Sequence, residues 1–566
     1  MSRISARTQT TIATLVFICL IPFIRLGEGD LQNDEVIYAS RAQEMVASGN
    51  EIYHVPPRIL YDKQPPLILA IIAGTVRIFG FTSFSVRLIS ALSAVIIFLL
   101  LYWFTLLVLP PAYALGASAL LASSPMMLRY AQLAQLDVPW LALIVAAFCV
   151  FWYSRELGKK NLYYWSAVLL GLSFDVKLFV SILPLGTLCV WIFIESRRDG
   201  EMKISLRNAV EYIAIVLIVA LPWHIWAIAE FGKEFFTVAM QYNVIGHTLN
   251  DPLNPANQNG MLYYINQLSI GFPLVAIVVL FFVYRVQEAI RTRTSAYVSS
   301  IELFLWLWLL SPLFIISIMG LNVQSYTVQL LPPVAILALL GVQELSRAAI
   351  GGWWRALSLI GAIALCAWGW SQTVRNSARE LFSTGSAHAS MPTEPFIIAV
   401  AIVVFSSIVI LIFAGRKNNL LKNIFLMIPA WGVGILVGMR VAVAATDSSV
   451  MRYTGASRIA SMLPVNAPVA LITEESSEDN ARMQFHCYDK SKTLYQRLSI
   501  LELHSFAQLP VMLPDSDHFA IIEQSDLYFG SDTSGKVAAV NLTKQQYVVI
   551  LQTPKYELFA RGLARE

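Results

Sequence analysis

The stretch Asp34 to Asn50 reads DEVIYASRAQEMVASGN and follows an apolar run from about Thr10 to Leu26. Val36, Ile37, Ala39, Ala42, Met45 and Val46 recur at helical spacing, the opposite face is polar, and Gly49-Asn50 supplies a stop. Such a helix is too polar to span a bilayer and is expected to lie in the interface. Two adjacent carboxylates, Asp34 and Glu35, stand at its head. Ionisable groups at membrane depth are costly and by default mark a site.

The rest of the chain fits that membrane setting. Of its 566 residues, 57% are apolar and only 13% charged, against the ~25% charged residues of a soluble domain. This predicts a polytopic α-helical membrane protein rather than a soluble globule. A net charge of +4 gives no reason to expect a nucleic-acid partner. Cys19, Cys149, Cys189 and Cys366 lie in apolar runs and Cys487 stands alone, so no disulfide framework is expected.

Apolar runs long enough to span, roughly 20 residues each, number about thirteen. They centre near Val16, Ala94, Ala117, Val145, Leu169, Leu185, Leu217, Val278, Leu309, Ala335, Ile363, Val403 and Gly434. The first follows Arg3 and Arg7 and is read as an uncleaved span. Basic residues at Arg155, Lys159, Lys160, Arg197, Arg198, Arg291, Arg293, Arg416 and Lys417 fall with Arg3 and Arg7 on one side, the cytoplasmic one. Asp34, Lys63, Asp137 and the loop from Phe231 to Gln267 then face outward. Pro65-Pro66 opens a further apolar helix to about Phe79. After Ala445 the pattern changes to β-rich runs at Val469 to Ile472, His518 to Ile522 and Gln546 to Leu551, with a helical stretch at Ser457 to Leu463. Residues 1–445 thus form a transmembrane domain and 446–566 a small α/β domain placed outside.

Several residues could do chemistry. Asp34 suits a general base or positioning carboxylate, although capping its helix would also place it there. Asp137, in Gln135-Leu136-Asp137-Val138-Pro139, opens another span, as a second acid on one cavity floor or as a cap. Lys63, next to Asp62 and before two prolines, suits a phosphate or a snorkelling pair with Asp62. Lys177 interrupts an apolar stretch and reads equally as a ligand or as part of a local arrangement with Asp175. His247 lies in a long loop of the kind that often carries function, as a metal ligand or acceptor contact. His224 reads as a satisfied interior histidine. The Tyr326 hydroxyl could reach a phosphate or sit in an aromatic belt.

Taken in order, the carboxylate pair after the first span, the amphipathic helix, Lys63-Gln64-Pro65-Pro66-Leu67, Leu136-Asp137-Val138-Pro139, the Lys177 hairpin, Leu221-Pro222-Trp223-His224 and Leu330-Leu331-Pro332-Pro333-Val334 resemble the GT-C glycosyltransferases. The likeness is to the aminoarabinose transferase/protein O-mannosyltransferase-like branch, over most of residues 10 to 345. It implies an inverting, multi-pass enzyme of the bacterial inner membrane whose active site faces the periplasm. The implied donor is a polyprenyl-phosphate sugar of the undecaprenyl-phosphate type. The acceptor would be lipid A, lipopolysaccharide core sugar or a protein hydroxyl, with membrane lipids as surroundings. Asp34, Asp137 and Glu35 would be the catalytic carboxylates. Lys63, Lys177 and Tyr326 would meet the donor phosphate, and Asp62 with His247 could hold a divalent metal such as zinc. One departure is that Lys233 is the only Lys or Arg in the Phe231–Gln267 loop. The rival classes are a transporter or flippase, which usually shows internal repeats and midplane charges, and an envelope scaffold.

Overall fold

The computed structural model describes residues 6–24, 26–31, 34–48, 65–177, 180–197, 206–236, 263–265, 267–268, 275–292, 298–318 and 324–347. It also describes 459, 462 and five C-terminal strands. The spans expected near Ile363, Val403 and Gly434 lie outside these residues, as do Asp62, Lys63 and His247.

Thirteen helices follow one another among the described residues: α1 (Ala6–Leu20), α2 (Asp34–Ser48), α3 (Leu67–Phe79), α4 (Ser83–Leu106), α5 (Pro111–Ser123), α6 (Pro125–Ala131), α7 (Asp137–Glu156), α8 (Lys160–Phe174), α9 (Ile182–Glu195), α10 (Leu206–Phe236), α11 (Val275–Thr292), α12 (Ser300–Ile318) and α13 (Leu331–Arg347). A 3-10 segment, Gln324–Leu330, leads into α13. The bounds of α2 and α3 follow from their sequence punctuation. Pro66 precedes α3, and Gly80 at φ +75° ends it. The Thr82 hydroxyl accepts from the Ser85 N–H and the Ser85 hydroxyl from the Thr82 N–H, a reciprocal cap that starts α4.

Five segments are long and apolar enough to cross a membrane: α4, α7, Arg207–Glu230 of α10, α12 and Gln324–Glu344. Shorter apolar helices include Leu67–Phe79, Pro111–Ala122 and Ile182–Glu195. Their outward faces carry exposed Ile78, Ile96, Trp103, Ile218, Ile225, Phe314 and Ile318, as a lipid-facing surface requires and a water-facing one does not tolerate in quantity.

The interior is aromatic. Phe148 of α7 packs edge-on against Phe304 and Trp308 of α12 at 4.9 and 4.8 Å, and Trp191 of α9 does so against Phe151 at 5.7 Å. Helix α8 lies between α7 and α10. A Cβ on Gly171 of α8 would come within 2.7 Å of Val219 Cβ and 3.0 Å of the Val216 carbonyl, so the two backbones meet there because no side chain intervenes.

Strands β1 (Val469–Thr473), β2 (Leu501–Ser505), β3 (Phe519–Glu523), β4 (Tyr547–Gln552) and β5 (Tyr556–Arg561) form one sheet in the order β2-β1-β3-β5-β4. β1 is parallel to β2 and β3, whereas β5 runs antiparallel to β3 and β4. The sheet contains the three expected β runs and adds β2 and β5. β2 is a five-residue run with only two apolar residues, Leu501 and Leu503, and β5 carries charges at Glu557 and Arg561. Ile459 and Met462, within the expected 457–463 helix, are helical.

Candidate active site

The α2 head is fixed by Glu35. Its side chain is fully buried, and Oε1 and Oε2 accept from Arg87 Nε and Nη2 at 2.8 and 2.9 Å. Oε1 also accepts from the Ala134 N–H at 2.8 Å. Arg87 in turn donates to the carbonyls of Leu26, Glu28 and Asp30 at 3.3, 2.7 and 2.9 Å. The Arg87–Glu35 pair therefore ties the chain before α2, the start of α2 and the approach to α7 together. A bidentate, buried arginine–carboxylate pair of this kind is geometrically specific. Both Glu35 oxygens are engaged in this buried pair, an arrangement that fixes the head of α2.

Asp34, one residue earlier on the same helix turn, is exposed. Crowding by surrounding protein raises its carboxyl above the usual carboxylate value. Asp137 pushes it further up, Lys177 opposes the rise, and Glu35 adds to it. These causes place Asp34, Asp137 and Lys177 in one electrostatic neighbourhood.

Asp137 is the first residue of α7 and buried, with Leu136 rather than Asp137 at the cap position. It accepts from Lys177 Nζ at 2.7 Å, so Lys177 pairs across helices and not with Asp175. The Lys177 turn is held by Ser181. The Ser181 hydroxyl lies 2.8 and 2.7 Å from the Ser173 and Lys177 carbonyls and accepts from Trp140 Nε1 at 2.7 Å. Lys177 Nζ also sits 5.5 Å from the centroid of the Tyr326 ring, which brings the 3-10 segment to the same place. The charge on Lys177 is disfavoured by burial but favoured more by Asp137, Tyr326 and Asp34, and its pKa is raised.

Tyr130, which sequence reading passed over, belongs here too. It is buried on α6, and burial followed by the charge of Asp137 keeps its phenol protonated well above the ordinary range. The signal in sequence is weak, a single tyrosine seven residues before Asp137. Among the described residues no group of three or more His, Cys, Asp or Glu is placed to hold a metal ion, and Asp62 and His247 lie outside them.

Sequence-distant groups thus converge at one end of the bundle: an accessible carboxyl, a carboxylate locked to an ammonium, and two phenols. The fold that presents them is that of the GT-C membrane glycosyltransferases. Aligned with the ArnT of Cupriavidus metallidurans bound to undecaprenyl phosphate, it covers 99% of both chains with a TM-score of 0.69 at 16% identity. Within that class the sequence is similar to the aminoarabinose transferase/protein O-mannosyltransferase-like branch. Residues 63–226 match the family described as dolichyl-phosphate-mannose-protein mannosyltransferase. The undecaprenyl phosphate-alpha-4-amino-4-deoxy-L-arabinose arabinosyl transferase 2 of Pseudomonas fluorescens (strain Pf0-1) is 27% identical over 341 residues, 59% of this chain and 58% of that one. The corresponding transferase of Edwardsiella ictaluri (strain 93-146) is 25% identical over 322 residues, 56% of each chain. The matches span little more than half the length of these relatives.

Proposed function

We propose that this chain is an integral membrane glycosyltransferase that moves a sugar from a polyprenyl-phosphate donor of the undecaprenyl-phosphate type to a cell-envelope acceptor such as lipid A or lipopolysaccharide. The observation that carries this reading is the accessible Asp34 beside the Asp137–Lys177 pair. Asp34 takes the proton of the acceptor hydroxyl while that oxygen attacks the anomeric carbon. The bond from carbon to phosphate oxygen breaks, and polyprenyl phosphate leaves with the electron pair. A single displacement inverts the anomeric centre. General-base assistance of this sort supplies about 100- to 10,000-fold in rate. Lys177, and Lys63 from beyond the described residues, offer cations to the leaving phosphate, with Tyr326 alongside. Asp137 holds Lys177 in place. A divalent metal, zinc or another, belongs to this proposal only at Asp62 and His247, and no step is routed through it.

The reading extends to about thirteen spans in the bacterial inner membrane, with the site facing the periplasm and residues 446–566 forming a periplasmic α/β domain. The matched mannosyltransferase family favours a second acceptor class, a protein hydroxyl. Purified protein in nanodiscs should consume labelled polyprenyl-phosphate sugar, and Asp34→Asn should abolish consumption with folding retained. Undiminished turnover in that variant would remove Asp34 as the base. Acceptors separate by mass analysis: a glycolipid product supports the first reading, a modified protein the second.

A further inference from the structure

The Lys177 turn carries a second polar cluster on the side facing α10. Asp175 caps α8 two residues before Lys177, and its Oδ1 lies 3.9 Å from His224 Nδ1. His224 Nδ1 is 2.6 Å from the Ala220 carbonyl, the position of an N–H that donates back along its own helix. Nε2 of the neutral ring is then an acceptor. That Nε2, Asp175 Oδ1 and Trp223 Nε1 are buried and, among the described residues, have no hydrogen-bond partner. The His224 side chain is only 7% exposed. Trp223 packs edge-on to His224 at 4.9 Å and, at 70°, to Phe235 at 5.9 Å.

Unmade hydrogen bonds in a well-packed protein need an explanation, and these three are complementary. They are two acceptors and one donor, the donor being the indole N–H of Trp223. Burial moves the Asp175 carboxyl up to about 7, and among the described residues its nearest basic group is the His224 ring at 3.9 Å. Asp175 and Trp223 are partly exposed, which leaves the cluster open at one edge. Neutral hydroxyls that donate to Asp175 and His224 and accept from Trp223 satisfy all three atoms at once.

We propose that Asp175, Trp223 and His224 form a hydroxyl-binding subsite that holds a sugar ring beside Lys177. This rests on the transferase reading above. The ring belongs either to the donor or to the acceptor. Full-length protein in nanodiscs distinguishes them by binding, without turnover. One arm compares polyprenyl phosphate with the same lipid carrying its sugar, and the other uses lipid A. Trp223→Phe removes the N–H and keeps the ring, while Asp175→Asn keeps the size and removes an acceptor oxygen. Each should weaken one sugar-bearing ligand by about five- to tenfold, the worth of one or two hydrogen bonds, and leave polyprenyl phosphate unaffected. A change only in the first arm assigns the donor sugar, and only in the second the acceptor. Unchanged affinity in both arms for both variants, whether or not the wild type turns over, would leave an ordered water as the occupant and overturn the subsite. Sugar-dependent binding that needs Trp223 in a protein without transferase activity would keep the subsite and sink the transferase reading.

Discussion

Asp34 and Glu35 are adjacent in sequence and meet different surroundings. Glu35 is anchored by Arg87, so Glu35→Ala leaves a buried guanidinium uncompensated, which should cost about 3–5 kcal/mol and lower the melting temperature. Asp34 is crowded by surrounding protein and then by the charge of Asp137, with Lys177 opposing, and its folded pKa is raised. Its ionised form therefore opposes folding above that pKa, and the penalty fades as pH falls through it. Asp34→Asn should then melt no lower than wild type at neutral pH, though the proposed base is gone. A melt that falls in Asp34→Asn as far as in Glu35→Ala would refute this division of labour. The same charges set the pH dependence of rate. The base role proposed for Asp34 requires the ionised form, so on that proposal activity rises with pH through the raised value. Residual activity of Asp137→Asn should show its acid limb at lower pH, because a repelling charge is gone. In Lys177→Met the limb should move to higher pH, because an attracting one is gone. Shifts in the same direction would break the proposed electrostatic coupling. At this scale sequence exposed Asp34, Asp137 and Lys177, because charges stand out in apolar runs. The Glu35–Arg87 pair, 52 positions apart, carries no local signature, and Tyr130 looks like any interfacial aromatic.

Element boundaries were legible wherever local chemistry sets them. The α2 helix runs from Asp34 to Ser48 and stops ahead of Gly49-Asn50, and α3 begins just after Pro65-Pro66. The end of α7 likewise needs Gly158 at φ +62°, where the Lys159 N–H returns to the Ser154 carbonyl at 2.9 Å. Less legible was how closely neighbours approach. Helices α5, α8 and α9 have 13, 15 and 14 residues, short of the ~20 that span alone. Their place depends on packing against longer partners. Gly171→Ala tests this directly, since its Cβ meets Val219 Cβ and the Val216 carbonyl. It should destabilise by about 1–3 kcal/mol. Adding Val219→Ala should not rescue it, because alanine keeps the clashing Cβ and the carbonyl stays. A thermal melt equal to wild type would show that α8 and α10 can separate at no cost. Because Asp175 caps α8 and Lys177 follows two residues later, any such separation also disturbs the site.

Across the whole molecule the named polar groups of the bundle sort to two ends. One end gathers Asp34, Asp137, Lys177 and Tyr326. The other holds Arg155 4.6 Å from the Trp191 ring centroid, Ser300 bonded to Glu195, and Arg285 paired with Glu302 at 2.8 Å. Sequence reading assigned the second end to the cytoplasm from its loop Lys and Arg residues, a bias that only a membrane can enforce. Cysteines 19, 149 and 189 are free thiols, so a background lacking all five sequence cysteines is needed to test it. On that background Lys159→Cys, exposed in the turn between α7 and α8, should react with an impermeant maleimide only after the inner membrane is opened. Val549→Cys, 46% exposed on β4, should react in intact spheroplasts. An odd number of spans between a cytoplasmic amino terminus and the sheet requires this opposition. Labelling of both from one side would defeat the odd count. The reverse pattern would turn the Asp34 end towards the cytoplasm, where a periplasmic acceptor could not reach it.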